Sequence, residues 1–179
     1  TDGTIIEAAL LVGSDGIFST VRGQLGLPGD RLRYSGLVVV LGIVPTAGAA
    51  EEEGRFSLPQ RRIFETVDGV TRIYAMPFTG EVTMWQLSFP CAEEAARALV
   101  RDPAALRAEI LRRCGGWHEP VPALLHGTPP ESMSGYPIYD RDLLSPEVLR
   151  PPRPGPHRRV TLLGDAAHPM SPFRAQGAN

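Results

Sequence analysis

Two short apolar runs at opposite ends of the chain, each closed by a glycine and an aspartate, constrain the fold most. Ile5 to Val12 is apolar apart from Glu7 and gives way to Gly13-Ser14-Asp15-Gly16, and Val160 to Leu163 gives way to Gly164-Asp165. Apolar runs of this length read as strands buried on both faces, the habit of parallel sheets. The two strands are therefore expected side by side in one parallel sheet. That arrangement puts Asp15 and Asp165 at carboxyl ends of strands, where open α/β sheets bind their ligands.

The chain between them has a different grammar. Leu37 to Val44, Arg61 to Thr66, Thr71 to Pro77 and Val82 to Phe89 are strand-like, and Asp68-Gly69 and Thr79-Gly80 are turn signals. Short spacings and hairpin turns predict an antiparallel sheet. Two helices should come next: Glu93 to Val100, and a second opened by Asp102-Pro103, faced by Leu106, Ile110 and Leu111, and stopped by Gly115-Gly116. A further strand is expected around Met133 to Tyr139, then an exposed Pro-rich loop from Arg150 to Pro156. Near the N-terminus Ser19 is a suitable cap for a short helix through Val21 and Leu25 that ends at Gly26. The fold class is α/β with an α+β insertion. Residues 1–30 and 158–179 are expected to form parts of one α/β domain, and 31–157 an inserted domain of antiparallel sheet and helices.

Composition narrows the function. The 179 residues carry a net charge of -2, which gives no reason to expect nucleic acid or an anionic membrane as partner. The longest apolar run, Leu37 to Val44, is too short to span a bilayer. Cys91 and Cys114 have neither CxxC nor zinc-ligand spacing, which fits a cytoplasmic protein with two free thiols and no metal site; a disulfide between the two is the alternative. The opening Thr1-Asp2-Gly3-Thr4 has no initiator Met or signal sequence and reads as the middle of a hairpin, so a truncation is expected there.

The chemistry concentrates in the two turns. A carboxylate at Asp165 can accept hydrogen bonds from a ligand's sugar or polyol hydroxyls, and charged acceptors make the stronger bonds. Pro172 to Asn179 reads as a loop entering a helix, whose free amides favour electron-rich atoms by about 0.3–1 kcal/mol. Ala175, Gly177 and Ala178 are small enough to let a planar ring approach the backbone. The alternative is an ordinary strand–turn–helix connection with Asp165 as a cap. In the first turn Gly16 frees the backbone beside Asp15, and Arg22 can pair with Asp15 or with a phosphate; a structural Asp-Gly turn with a surface arginine is the alternative.

Taken together, Val12-Gly13-Ser14-Asp15-Gly16 with Ser19, Val21 and Arg22 resembles the "DG" fingerprint of FAD-dependent aromatic monooxygenases. Gly164-Asp165-Ala166-Ala167-His168 with Pro172, Gly177 and Asn179 resembles their "GD" fingerprint. The family is that of single-component flavin hydroxylases similar to para-hydroxybenzoate and salicylate hydroxylases. Tyr136-Pro137-Ile138-Tyr139-Asp140-Arg141-Asp142 resembles the segment that leads back from their substrate-domain sheet.

The resemblance implies FAD as cofactor, NAD(P)H as co-substrate, and hydroxylation of a phenolic substrate with O2 through a flavin C4a-hydroperoxide. Asp165, with Gly164, would bind the FAD ribityl chain. Asp15 and Gly16 would lie near the FAD pyrophosphate, Asp15 also taking part in NAD(P)H binding, with Arg22 supporting the nucleotide side. Pro172 would lie against the isoalloxazine, and the amides of Gly177, Ala178 and Asn179 near its pyrimidine end. No catalytic side chain is assigned, and a homodimer is left open. An epoxidase, halogenase or reductase of the same fold, or a non-catalytic remnant, are the alternatives.

The chain departs from the family at Ala175, where glycine is usual, and it holds no G-x-G-x-x-G loop for the ADP half of FAD. The resemblance therefore implies a piece that would not hold FAD tightly alone, with Asn179 at the mouth of a helix the chain lacks. Arg174 either meets an anionic substrate or faces solvent. His168 reads as structural rather than acid–base, Arg61, Arg62 and Tyr74 as strand-face residues, and Trp85, Phe89 and Trp117 as core.

Overall fold

The computed structural model describes residues 3–45, 62–150, 155–171 and 173. The chain forms two compact units, Thr1–Ser35 with Tyr139–Asn179, and Gly36–Ile138.

The second unit is built on an antiparallel sheet. Its strands are β2 (Leu32–Pro45), β3 (Phe64–Val67), β4 (Arg72–Pro77), β5 (Val82–Pro90) and β6 (Met133–Arg141), in the order β3-β4-β5-β2-β6. Both predicted hairpin turns form: Asp68 N–H donates to the Thr71 carbonyl at 3.2 Å and Phe78 N–H to the Val82 carbonyl at 2.9 Å. The first is fastened by the Asp68 carboxylate, which accepts from the amides of Val70 at 2.8 Å and Thr71 at 2.6 Å, an Asx turn that suits the Asp-Gly pair. The register sets Gly42 opposite Trp85 and Tyr74 opposite Gln86. Period-two alternation then sorts the side chains. Val38, Val40, Ile73, Ala75, Trp85, Leu87 and Phe89 are buried on one face, while Leu41, Tyr74, Met76, Met84 and Gln86 on the other are only half-buried.

The two expected helices form as α2 (Glu93–Leu99) and α3 (Pro103–Cys114), the latter capped by Asp102, whose carboxylate accepts from Ala104 N–H at 3.0 Å and Ala105 N–H at 3.1 Å. A third helix, α4 (Val121–Gly127), is one the sequence does not predict. Its Pro-flanked sequence Val121-Pro122-Ala123-Leu124-Leu125 offers too few residues for a helical period to register, and burial of Val121, Leu124 and Leu125 stabilises it instead. Trp85, fully buried, donates from Nε1 to Thr128 Oγ1 at 2.7 Å, and that hydroxyl donates onward to the Leu124 carbonyl at 2.6 Å. Arg113 lies over the Phe89 ring, 4.1 Å from its centroid. Trp85 and Phe89 are core as expected, whereas Trp117 sits half-buried in the turn after α3.

Cys91 and Cys114 are both free thiols. Burial, with the Asp68 charge adding to it, pushes the Cys114 thiol up from 9.0 to about 11.

The end strands are shorter and less covered than the sequence suggests. The expected strand at Ile5 to Val12 reduces to β1 (Leu11–Gly13), and Ile5 and Ile6 are 89% and 83% exposed. Val160 to Leu163 reduces to β7 (Val160–Leu162), which is half-buried rather than buried. Each has one hydrogen-bonded neighbour among the described residues, the other. A two-stranded ribbon has neither the flanking strands nor the two covered faces that bury an apolar run completely.

This packing has two testable consequences. Thr128→Val keeps the shape but removes the acceptor for the buried Trp85 N–H, so denaturant unfolding should show a loss of about 1–3 kcal/mol. Native Cys114 should resist thiol reagents at pH 8 until the chain unfolds. Because its pKa is raised on folding, the stability it contributes is complete below pH 9.0 and is lost as pH rises toward about 11.

Candidate functional site

The first unit holds both aspartate turns. β1 and β7 pair in parallel, Leu11 with Val160, Val12 with Thr161 and Gly13 with Leu162, and Leu163 N–H extends the ladder to the Gly13 carbonyl at 2.9 Å. Asp15 and Asp165 therefore leave carboxyl ends of adjacent parallel strands, as expected. Gly13 is required for a packing reason: a Cβ there would lie 2.8 Å from Val21 Cβ and 2.9 Å from Leu162 Cδ2. The glycine thus lets the next helix, α1 (Thr20–Gln24), sit directly on the two strands.

The two carboxylates have different surroundings. Asp15 accepts from the Ser19 hydroxyl at 2.5 Å and from the amides of Thr20 at 2.8 Å and Val21 at 3.2 Å. Ser19 Oγ in turn accepts from Arg22 N–H at 2.9 Å. The first three amides of α1 are all satisfied within the protein, which leaves none of them for an anion. The Ser19 hydroxyl foremost holds the Asp15 carboxyl below its usual value; desolvation opposes it, and the backbone amides add to the lowering.

Asp165 lies on a one-turn 3-10 segment, Gly164–Ala166. Gly164 takes φ 59°, a left-handed conformation that a side chain would strain. Its carbonyl accepts from both Ala167 N–H and His168 N–H at 2.9 Å, closing the turn. The Asp165 side chain is exposed and has no hydrogen-bond or ion-pair partner among the described residues. His168 is exposed and enters this geometry through its backbone.

Arg22 does not pair with Asp15. Ser19 and the α1 amides already occupy that carboxylate, and Arg22, wholly buried, turns the other way. Its Nε donates to Asp30 Oδ1 at 3.0 Å, with Nη2 2.9 Å from the same oxygen as an ion pair. Its Nη1 donates to the carbonyls of Ala166 at 2.9 Å and Ala167 at 2.8 Å. Arg141 completes the group, with Nη1 2.8 Å from Asp30 Oδ1 and Nε donating to the Ile17 carbonyl at 2.8 Å. Burial alone would raise the Asp30 carboxyl, but the hydrogen bonds and charges of Arg22 and Arg141 together outweigh it and hold the group low.

Asp30 and Arg141 carry no signal in the sequence as site residues. Asp30 comes after Leu27-Pro28-Gly29 in a turn with no distinguishing pattern, and Arg141 stands out only as a member of the segment from Tyr136. The charges pair across 111 positions, a separation that no local pattern spans. Arg62 is exposed and Tyr74 lies on β4. Arg61, Pro172, Arg174, Ala175, Gly177, Ala178 and Asn179 lie outside the described residues.

No protein-family profile matches the chain. It is 32% identical to an aurachin C monooxygenase/isomerase of Stigmatella aurantiaca over 98% of this chain and 40% of that protein. It is also 32% identical to a 3-amino-4-hydroxybenzoate 2-monooxygenase of Streptomyces cremeus over the whole chain and 40% of that protein. Its backbone matches the crystal structure of Klebsiella pneumoniae HpxO with FAD and uric acid at a TM-score of 0.76 and 29% identity, over 99% of this chain and 41% of the other. The chain thus has the fold of the corresponding part of FAD-dependent monooxygenases, and it spans about 40% of the length of the curated relatives it matches.

The Asp15 assignment is testable in the chain itself. Asp15→Ala should lower the thermal midpoint by a few degrees and fray α1. Because the carboxyl is lowered on folding, its contribution is complete above the unfolded value of 3.8 and is lost as pH falls through the folded one. The variant should therefore lose the part of the acid-limb pH dependence of the midpoint that arises from this group.

Proposed function

We propose that this chain supplies the Asp165 turn and the substrate-facing sheet of an FAD-dependent, NAD(P)H-using monooxygenase that hydroxylates an aromatic substrate. One observation carries the reading: of two carboxylates at adjacent parallel strand ends, Asp15 is spent on α1, and Asp165 is exposed and without a partner among the described residues. The similarity to two monooxygenases, one acting on an aminohydroxybenzoate, and to a protein crystallised with FAD and uric acid supports the same class.

The residues present fit such a cofactor. An exposed carboxylate on a closed turn, with two alanines directly after it, suits a polyhydroxylated chain that needs a charged acceptor and close backbone approach. Asp165 would hold the ribityl hydroxyls, and Pro172 with the amides of Gly177, Ala178 and Asn179 would border the ring system. Asp15 and Gly16 serve the nucleotide side by fixing the turn that faces it, and Arg22 does so from beneath. Bound flavin supplies electron transfer from the nicotinamide and activation of O2; the protein supplies position, electrostatics and exclusion of water.

The half-buried face of the sheet offers a surface for the aromatic substrate. Leu41, Met76 and Met84 provide an adaptable apolar floor. Tyr74 O–H donates to Gln86 Oε1 at 3.2 Å, a pair able to redirect its donors toward ring substituents. A cytoplasmic location and a homodimer belong to the same reading.

In the full-length enzyme, Asp165→Asn should weaken FAD binding about tenfold, since a charged hydrogen-bond acceptor contributes about 1.5–3 kcal/mol. Flavin-fluorescence titration measures it, and an unchanged affinity would contradict the assignment. Flavin reduction by NADH and NADPH, screened against a panel of phenolic acids, tests the reaction. Reduction that no aromatic compound stimulates, with no oxygenated product, would remove the hydroxylase reading.

A further inference from the structure

Asp30 and Arg141, which hold Arg22 in place, take no part in the chemistry assigned so far. Arg22 is wholly buried, and Asp30 and Arg141 are only 11% and 10% exposed at their side chains. A single carboxylate oxygen, Asp30 Oδ1, receives nitrogens of both guanidinium groups. One buried and one largely buried cation against a single anion leave an excess positive charge, and three backbone carbonyls meet it: Ile17, Ala166 and Ala167.

Two of those carbonyls belong to the residues immediately after Asp165. The turn is therefore held from two sides. Gly164 accepts the amides of Ala167 and His168 within it, while Arg22 Nη1 grips the carbonyls of Ala166 and Ala167 from outside. A guanidinium is a rigid fork, so fixing its Nε and Nη2 edge on Asp30 fixes where Nη1 points. Without Asp30, Arg22 and Arg141 would face each other as unscreened like charges, and Arg22 would have no anchor for that edge.

We propose that Asp30 is the positioning residue of the Asp165 turn, acting through Arg22, and that it thereby sets flavin affinity without touching flavin. The proposal rests on the flavin reading above. A network of this kind can lock a binding residue's backbone while leaving its side chain for the ligand, and the Asp165 side chain is exposed, with no partner among the described residues.

The test compares backbone exchange with flavin binding. Asp30→Asn should speed amide exchange at Ala167 and His168 about tenfold, while amides of β5 such as Leu87 keep their protection. In the intact flavoprotein the same variant should raise the FAD dissociation constant about tenfold. Asp30→Glu, which keeps the charge, should recover most of both effects. Should Asp30→Asn not fold, Arg22→Lys decides: lysine retains the charge but its donors radiate from one atom and cannot hold Asp30 and two carbonyls together, so the same loosening is expected.

Wild-type exchange at Ala167 and His168 in the folded variants would overturn the positioning role. So would unchanged flavin affinity in Asp30→Asn and Arg22→Lys where Asp165→Asn weakens it. Unchanged affinity in Asp165→Asn itself would instead remove the flavin reading of the turn and with it the claim on affinity, while the exchange rates still decide whether Asp30 holds the turn.

Discussion

The buried guanidinium of Arg22 is the interaction on which the arrangement of the first unit depends. Its own amide caps α1 through Ser19, its Nε and Nη2 engage Asp30, and its Nη1 holds the carbonyls after Asp165. One side chain therefore couples the helix after the first turn to the backbone of the second. A buried charge without partners costs several kcal/mol; here the Asp30 ion pair and the two carbonyls offset that cost, although Nη2 meets Asp30 by charge alone, without a hydrogen bond. The two aspartate turns, at opposite ends of the sequence, are structurally one object for that reason.

A division of labour between like residues results. Asp15 and Asp165 leave equivalent strand ends, yet one is consumed by a helix N-terminus and the other is not. The difference lies in the path of the chain beyond each turn. After Asp15 the chain enters α1, with Ser19 and two amides turned back to the carboxylate. After Asp165 the turn closes on the Gly164 carbonyl, so its amides bond to backbone and leave the side chain outside. A structural carboxylate and a ligand-facing one thus arise from the same strand-end position.

Much of this is legible in the sequence. The strand–turn spacing from Leu37 to Phe89, the Asp102-Pro103 cap and the paired Gly/Asp turns all predict elements that form, because each rests on local backbone chemistry. The features that are not legible depend on contacts between distant positions. Ile5 and Ile6 read as buried strand from composition, but a two-stranded ribbon cannot bury them. Arg22 reads as a partner for Asp15 or a phosphate because nothing local marks Asp30 as the nearer anion. The helix α4 leaves no periodic trace because tertiary burial, not periodicity, sustains seven residues flanked by proline.

The central claim is that Asp165 faces the ligand and Asp15 serves the fold. Carboxyl-carbon NMR of the full-length protein, with both aspartates assigned and FAD added to saturation, tests it most directly. The account predicts that the Asp165 carboxyl resonance shifts on binding while that of Asp15, still held by Ser19 and α1, stays where it was. A shift at Asp15 with none at Asp165 would contradict it.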